Sequence, residues 1–231
     1  MMNLLLFEWK LFFRNKRLKQ QFILMLLVLA LLSFQLTNLS LLKGYALFTE
    51  IYLIAMMGAF AQFAVYSFAT NASFIEKQLT TPLSVFKILQ TKYYFFCILS
   101  FIPFLAFLPS LFWGSVHFLD LFSTFLFVVG FVLFGLFYCT QFSYKPFDTK
   151  ATAFYNYQGI DKGNYFFPLF IMILAFGIIL LIFWLFDETT ALILKSIIGI
   201  VFIATHRIWL KFIAQKIEEK KYYRIERFRG K

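Results

Sequence analysis

Long uncharged runs are the feature that most restricts what this chain can fold into. Charged residues leave clear Gln20–Leu42, Ile51–Ile75, Tyr93–Leu119, Leu121–Tyr144 and Gly163–Phe186, and a further run, Thr189–Thr205, is broken only by Lys195. A helix needs ~20 consecutive apolar residues to cross the hydrocarbon core of a bilayer. The chain is 61% hydrophobic and 14% charged, with 36 phenylalanines among 231 residues. That is more apolar surface than a water-soluble domain of this length can bury. Within a bilayer every backbone polar group must be satisfied inside the protein, which helices achieve by themselves. The runs therefore predict an all-α, polytopic membrane protein with six transmembrane helices, at about residues 20–42, 51–73, 93–113, 119–141, 165–186 and 189–206.

A net charge of +11 raises nucleic acid as a partner, but the placement of the charges argues against it. With six spans and the N-terminus inside, only Lys43 and Lys195 of the 22 Lys and Arg residues fall outside. Such a bias marks the cytoplasmic side. Both termini are then expected to be cytoplasmic, with anionic lipid rather than nucleic acid as the partner of the basic surplus. Trp9, Trp113, Trp184 and Trp209 lie in or near interfacial positions, where amphipathic rings are favoured. Cys97 and Cys139 sit inside apolar runs and read as small core residues, not as a disulfide or metal pair. The first run is too long for a cleaved signal peptide, and no small-residue cleavage site follows it.

Three regions follow along the chain. Residues 1–19 place Asn3, Lys10, Arg14 and Arg17 on one helical face and leave much of the rest to Leu4, Leu5, Leu11 and Phe12. This predicts an amphipathic helix in the cytoplasmic headgroup plane. Residues 20–206 form the membrane domain. The tail, 207–231, is basic; it either continues the last span as an amphipathic helix or frays into contact with anionic lipid. In the second run Gln62, Tyr66 and Thr70 recur at helical spacing among small residues. Their face turns inward, either to line a cavity or to pack against other helices. Lys195, near the outer end of its run, has a stem long enough to snorkel to the interface.

Signatures of catalysis are scarce. The sequence holds no glycine-rich phosphate loop followed by Lys and Ser or Thr. His117 and His206 are expected on opposite sides of the membrane, and Glu218-Glu219 lie in a charged tail. No catalytic residue, metal site or cofactor is expected, and the chain is not expected to be an enzyme.

The longest polar interruption in the first half, Phe74 to Lys92, reads FIEKQLTTPLSVFKILQTK. Thr81 can cap a helix and Pro82 fits its first position. Leu83, Phe86 and Leu89 then form an apolar stripe, with Lys87 facing elsewhere. The pattern predicts a short amphipathic helix over 82–91 on the inner face of the membrane. It would rest either on headgroups or in the groove of a cytoplasmic partner.

The basic amphipathic leader LLLFEWKLFFRNKR, the spans with both ends inside, and a loop carrying Glu76, Thr81-Pro82-Leu83-Ser84, Ile88-Leu89 and Lys92 together resemble the membrane subunit (permease) of ABC-2 type ABC transporters. The resemblance implies a probable exporter in a bacterial cytoplasmic (inner) membrane, without an ATPase site of its own. It implies separate ATP-binding subunits and a second permease as partners. Glu76, Thr81, Pro82, Leu83, Phe86 and Leu89, within loop 74–92, would couple it to the ATPase. The resemblance also leaves a departure, because the outer segment before the last run is almost absent at Asp187–Thr190. A non-transporting membrane scaffold or assembly factor that holds a cytoplasmic partner is the alternative reading.

Overall fold

Asn15 sets the first boundary of the fold. In the computed structural model, which describes residues 2–38, 62–67, 84–112, 117–142 and 162–228, helix α1 (Met2–Arg14) stops at this residue and α2 (Lys16–Asn38) starts after it. The Asn15 side-chain oxygen accepts from the Leu18 N–H at 3.3 Å, which satisfies one of the free donors at the start of α2. After a short 3₁₀ helix at Gln62–Ser67, α3 (Val85–Phe107) is capped by Ser84, whose hydroxyl accepts from the Lys87 N–H at 3.4 Å. Pro109 lies in the 3₁₀ turn Leu108–Leu111 that follows. Helix α4 (Phe118–Thr140) contains a π turn at Val128–Val132. Then come α5 (Lys162–Leu185), α6 (Glu188–Ala204), α7 (His206–Glu219) and α8 (Lys221–Phe228).

All described elements are helical, as the hydropathy predicts, but the expectation of six spans is corrected. Among the described residues three helices are long and apolar enough to cross a membrane: Val85–Phe107, Phe118–Thr140 and Phe166–Leu185. A fourth is counted if α6 and α7, bent by 58° at their junction, make one broken span. The first expected span, 20–42, is not among them: the apolar helix described there is Leu18–Val28. The second, 51–73, lies outside the described residues apart from the 3₁₀ helix. The expected separate helix over 82–91 is also revised. Its residues from Val85 onward are the first turns of α3, which runs unbroken to Phe107.

Ring contacts fix the packing of these helices. Tyr93 and Phe96, early in α3, meet Phe137 near the end of α4, whereas Phe101 and Phe104 meet Phe125 near its start. The two helices are therefore antiparallel. Helix α6 runs parallel to α4, with Lys195 beside Thr124 and Phe202 beside Phe134. Phe142, just past α4, stacks on Phe167 at the start of α5. One end of the bundle thus collects the start of α3, the end of α4, the start of α5 and the α6–α7 junction. Lys87, Lys92, Arg207 and Lys211 gather there, while Asp120, Asp187 and Glu188 occupy the other end.

The α4–α6 crossing is the tightest contact. Gly130, within the π turn, faces Gly199 of α6, and a Cβ on Gly130 would fall onto the Gly199 carbonyl. A Cβ on Gly199 would lie 2.5 Å from the Leu126 carbonyl. Small residues of this kind let helix backbones approach where lipid supplies no hydrophobic drive. Helix α5 behaves differently. Ile171, Met172, Ala175, Ile179 and Ile182 form its buried stripe, and Leu169, Phe170, Ile173 and Leu181 point outward. An outward apolar face is what hydrocarbon tails accept. Gly177 has nothing within 4 Å of where a Cβ would stand.

Two outcomes follow from this packing. Gly130→Ala or Gly199→Ala is expected to destabilise the detergent-solubilised protein by roughly 1–3 kcal/mol through overpacking, read as a lowered thermal midpoint, whereas Gly177→Ala leaves it unchanged or raised. Between α5 and α6, Asp187 caps α6 by accepting from the Thr190 hydroxyl at 2.7 Å and the Thr190 N–H at 3.1 Å. Those two bonds hold its carboxyl below the ordinary 3.8. A depressed folded-state value means that the cap stabilises fully above 3.8 and loses its contribution as pH falls through the lower value. The midpoint gap between the wild type and Asp187→Ala is therefore expected to be full near neutral pH and to close in acid.

Candidate functional site

The basic end of the bundle brings together one set of buried or half-buried polar groups. Glu8 falls on the face of α1 that also carries Leu5 and Phe12, opposite Lys10 and Arg14. That face docks on α3, where the Lys92 ammonium donates to the Glu8 carboxylate at 2.8 Å. Lys92 is 1% exposed and Glu8 12%. Aromatic rings surround the pair. Trp9 stacks on Phe13 and meets Phe95 edge-on, and Phe12 packs against Phe22, Phe63 and Phe95. Taking two charges out of water is costly, and the attraction repays it only with good geometry. A direct bond of this length meets that condition.

The next residue along α3 reaches the α6–α7 elbow. Tyr93 stacks on the His206 ring with centroids 5.3 Å apart and meets the Trp209 ring edge-on. The Tyr94 hydroxyl lies 3.1 Å from His206 Nε2, and His206 Nδ1 lies 2.7 Å from the Ile203 carbonyl. A carbonyl only accepts, so Nδ1 carries a proton; in the neutral ring Nε2 then accepts from Tyr94. Trp209 donates its indole N–H to the Phe202 carbonyl at 2.9 Å, and the Thr205 hydroxyl donates to the Val201 carbonyl at 2.7 Å. A helix end leaves carbonyls without intrahelical partners. Here the Phe202 carbonyl is taken by Trp209, while those of Val201 and Ile203 accept both from elbow side chains and from the Thr205 N–H, so the chain turns by 58° without leaving them bare.

At the opposite end Lys195 does not snorkel. It is fully buried, and its ammonium donates to the Thr124 hydroxyl at 3.0 Å. Thr124 in turn donates to the Asp120 carbonyl at 2.7 Å. A hydroxyl on the facing helix gives the ammonium a partner inside the bundle, and the lysine turns toward it. Trp184 is 82% exposed at the outer end of α5, as an interfacial ring would be, but Trp209 is buried in the elbow. Cys97 and Cys139 are free thiols, half-buried and buried. Among the described residues no cluster of His, Cys, Asp and Glu could hold a metal.

The residues singled out by sequence are placed unevenly. Phe86 is half-buried against the core, Leu89 is fully buried, and Ser84 and Lys87 are exposed. The helix cap is Ser84 rather than Thr81. Glu76, Thr81, Pro82, Leu83 and Thr70 lie outside the described residues. Gln62 and Tyr66 belong to the 3₁₀ helix Gln62–Ser67, with their side chains outside the description. Sequence reasoning passed over Glu8, although a lone carboxylate on the apolar face of an otherwise basic helix signals a buried partner. It placed Lys92 at the end of the loop pattern and the re-entry to the next span, without a partner for its charge.

The fold and this set of buried polar contacts define a multi-pass, largely helical membrane protein. A family model covers residues 1–231, and the chain belongs to that family, described as "Family of unknown function (DUF5687)". No curated protein and no solved structure matches the chain.

The elbow supplies a direct test. Trp209→Phe keeps most of the ring packing but leaves the Phe202 carbonyl only the longer bond from the Thr205 hydroxyl at 3.5 Å, and is expected to cost about 1–3 kcal/mol. Trp209→Ala is expected to cost about 3–5 kcal/mol. Both are read as thermal midpoints in detergent, with Trp184→Phe on the exposed face as the neutral comparison.

Proposed function

We propose that the protein is the permease subunit of an ATP-driven transporter of the ABC-2 type. It would reside in a bacterial cytoplasmic membrane, pair with a second permease and couple to separate ATP-binding subunits through residues 74–92. One observation carries the reading. The Thr-Pro-Leu-Ser pattern stands in sequence directly before α3, and the first turns of α3 are locked into the bundle. Val85, Ile88, Leu89 and Lys92 are buried there, and Lys92 holds α1 through Glu8. A push on the chain ahead of Ser84 would therefore move α3 as a rigid rod and take α1 with it. ATP-driven closure of a cytoplasmic subunit needs such a connection if it is to tilt membrane helices. Ser84, Phe86, Lys87 and Gln90 are the described residues of the segment that stay open or partly open to a partner. Leu89 would support the helix from inside.

Affinity purification of the tagged full chain in mild detergent tests the reading. An ATPase with a phosphate-binding loop is expected to accompany the wild type. Phe86→Asp is expected to reduce its recovery at least ten-fold, and the exposed-site change Lys87→Glu to reduce it less. Membrane insertion is checked in parallel. Recovery of the protein without any ATPase defeats the proposal, and an ATPase retained equally by both variants removes residues 84–92 from the contact.

A further inference from the structure

Two helices flank α3 at one level of the basic end. Lys92 and Phe95 hold α1, and Tyr93, between them in sequence, holds α7. Each flanking helix buries one face and leaves a mixed face outward. On α7 the buried face is Trp209, Leu210, Ile213, Ala214 and Ile217. Outward stand Arg207, Ile208, Lys211 and Phe212, with Ile208 71% and Phe212 48% exposed. On α1 the outward face carries Leu6, Phe7 and Phe13 beside Lys10 and Arg14.

Neither bulk water nor hydrocarbon suits such faces. Water gains nothing from an exposed Ile208 and Phe212, and acyl chains exclude Arg207 and Lys211. The headgroup layer accepts both, with the apolar tips reaching inward and the cations at the level of the phosphates. The charge along α7 changes in the same sense. Its first two turns, next to α6, carry the cations and the apolar residues. Its last turn ends in the exposed Glu218 and Glu219, and Lys216 bonds to Glu219 at 3.3 Å. An anionic surface would attract the first part and repel the second. The 58° bend at Thr205 turns α7 off the axis of α6.

We propose that the outward face of α7, with that of α1 on the other side of α3, binds the phosphate headgroups of anionic phospholipids in the leaflet at the basic end. The proposal does not rest on the permease reading, because neither its surface nor its test involves an ATPase.

The test uses the full-length protein in detergent. Native mass spectrometry counts retained phosphatidylglycerol or phosphatidylcholine of the same chain length, and thermal midpoints are taken with each lipid and with inorganic phosphate. Phosphatidylglycerol is expected to be retained in preference and to raise the midpoint. Arg207→Gln with Lys211→Gln, both at exposed positions, is expected to weaken that retention by roughly ten-fold or more, with the midpoint in detergent alone unchanged. Lys10→Gln with Arg14→Gln on α1 gives a second, independent loss. Equal retention of the two lipids overturns the proposal, as does retention untouched by both double variants. Stabilisation reproduced by free phosphate places a soluble anion there instead. Loss of an acidic protein from the double variants, without any lipid preference, makes the surface a protein contact; both results also overturn it.

Discussion

A glutamate and a lysine 84 residues apart in sequence meet away from water at 2.8 Å, and the arrangement of the basic end depends on them. Lys92 is buried, and removing Glu8 is expected to cost roughly 3–5 kcal/mol, the range for breaking a buried ion pair. Apolar contact alone could slide along a ring-lined surface. The ion pair fixes which turn of α1 faces which turn of α3. With that register set, Trp9 and Phe12 close over Phe95, and Tyr93 is left to face α7.

The rest of the bundle is held by close approach and by local hydrogen bonding. Glycines at 130 and 199 bring α4 and α6 into backbone contact, and Lys195 bonds across the same pair of helices through Thr124. At the other end of α6 the side chains of Thr205, His206 and Trp209 take up the last carbonyls. The turn into α7 can therefore be sharp and still sit against Tyr93. The basic end is thus a junction where α1, α3, α6 and α7 constrain one another. A force applied at the start of α3 would be felt in each of them.

Much of this was legible in the sequence, and the reasons for the rest are physical. Uncharged runs announce lipid-facing helices, because bilayer solvation acts on composition. The number of spans is not fixed that way. Asn15 and Ser84 decide where helices begin by capping them, and the elbow at Thr205 exists because Trp209, seven residues past Phe202, returns a hydrogen bond. Lys195 reads as an interfacial lysine until Thr124, 71 residues upstream, is seen to face it. Leu89 lies on a stripe that suits a partner's groove equally well, and only the packed bundle shows it buried. Glu8 was the readable exception, a carboxylate on the wrong face of a basic helix.

Charge reversal at the ion pair is the most direct measurement of the docked α1. Glu8→Lys, Lys92→Glu and the exchanged double variant are compared with the wild type by thermal midpoint and by monodisperse yield in detergent. A buried pair that sets the register predicts that each single variant falls well below the wild type and that the exchange restores most of the loss. Single variants that behave as the wild type, or an exchange no better than the two losses added together, would contradict it.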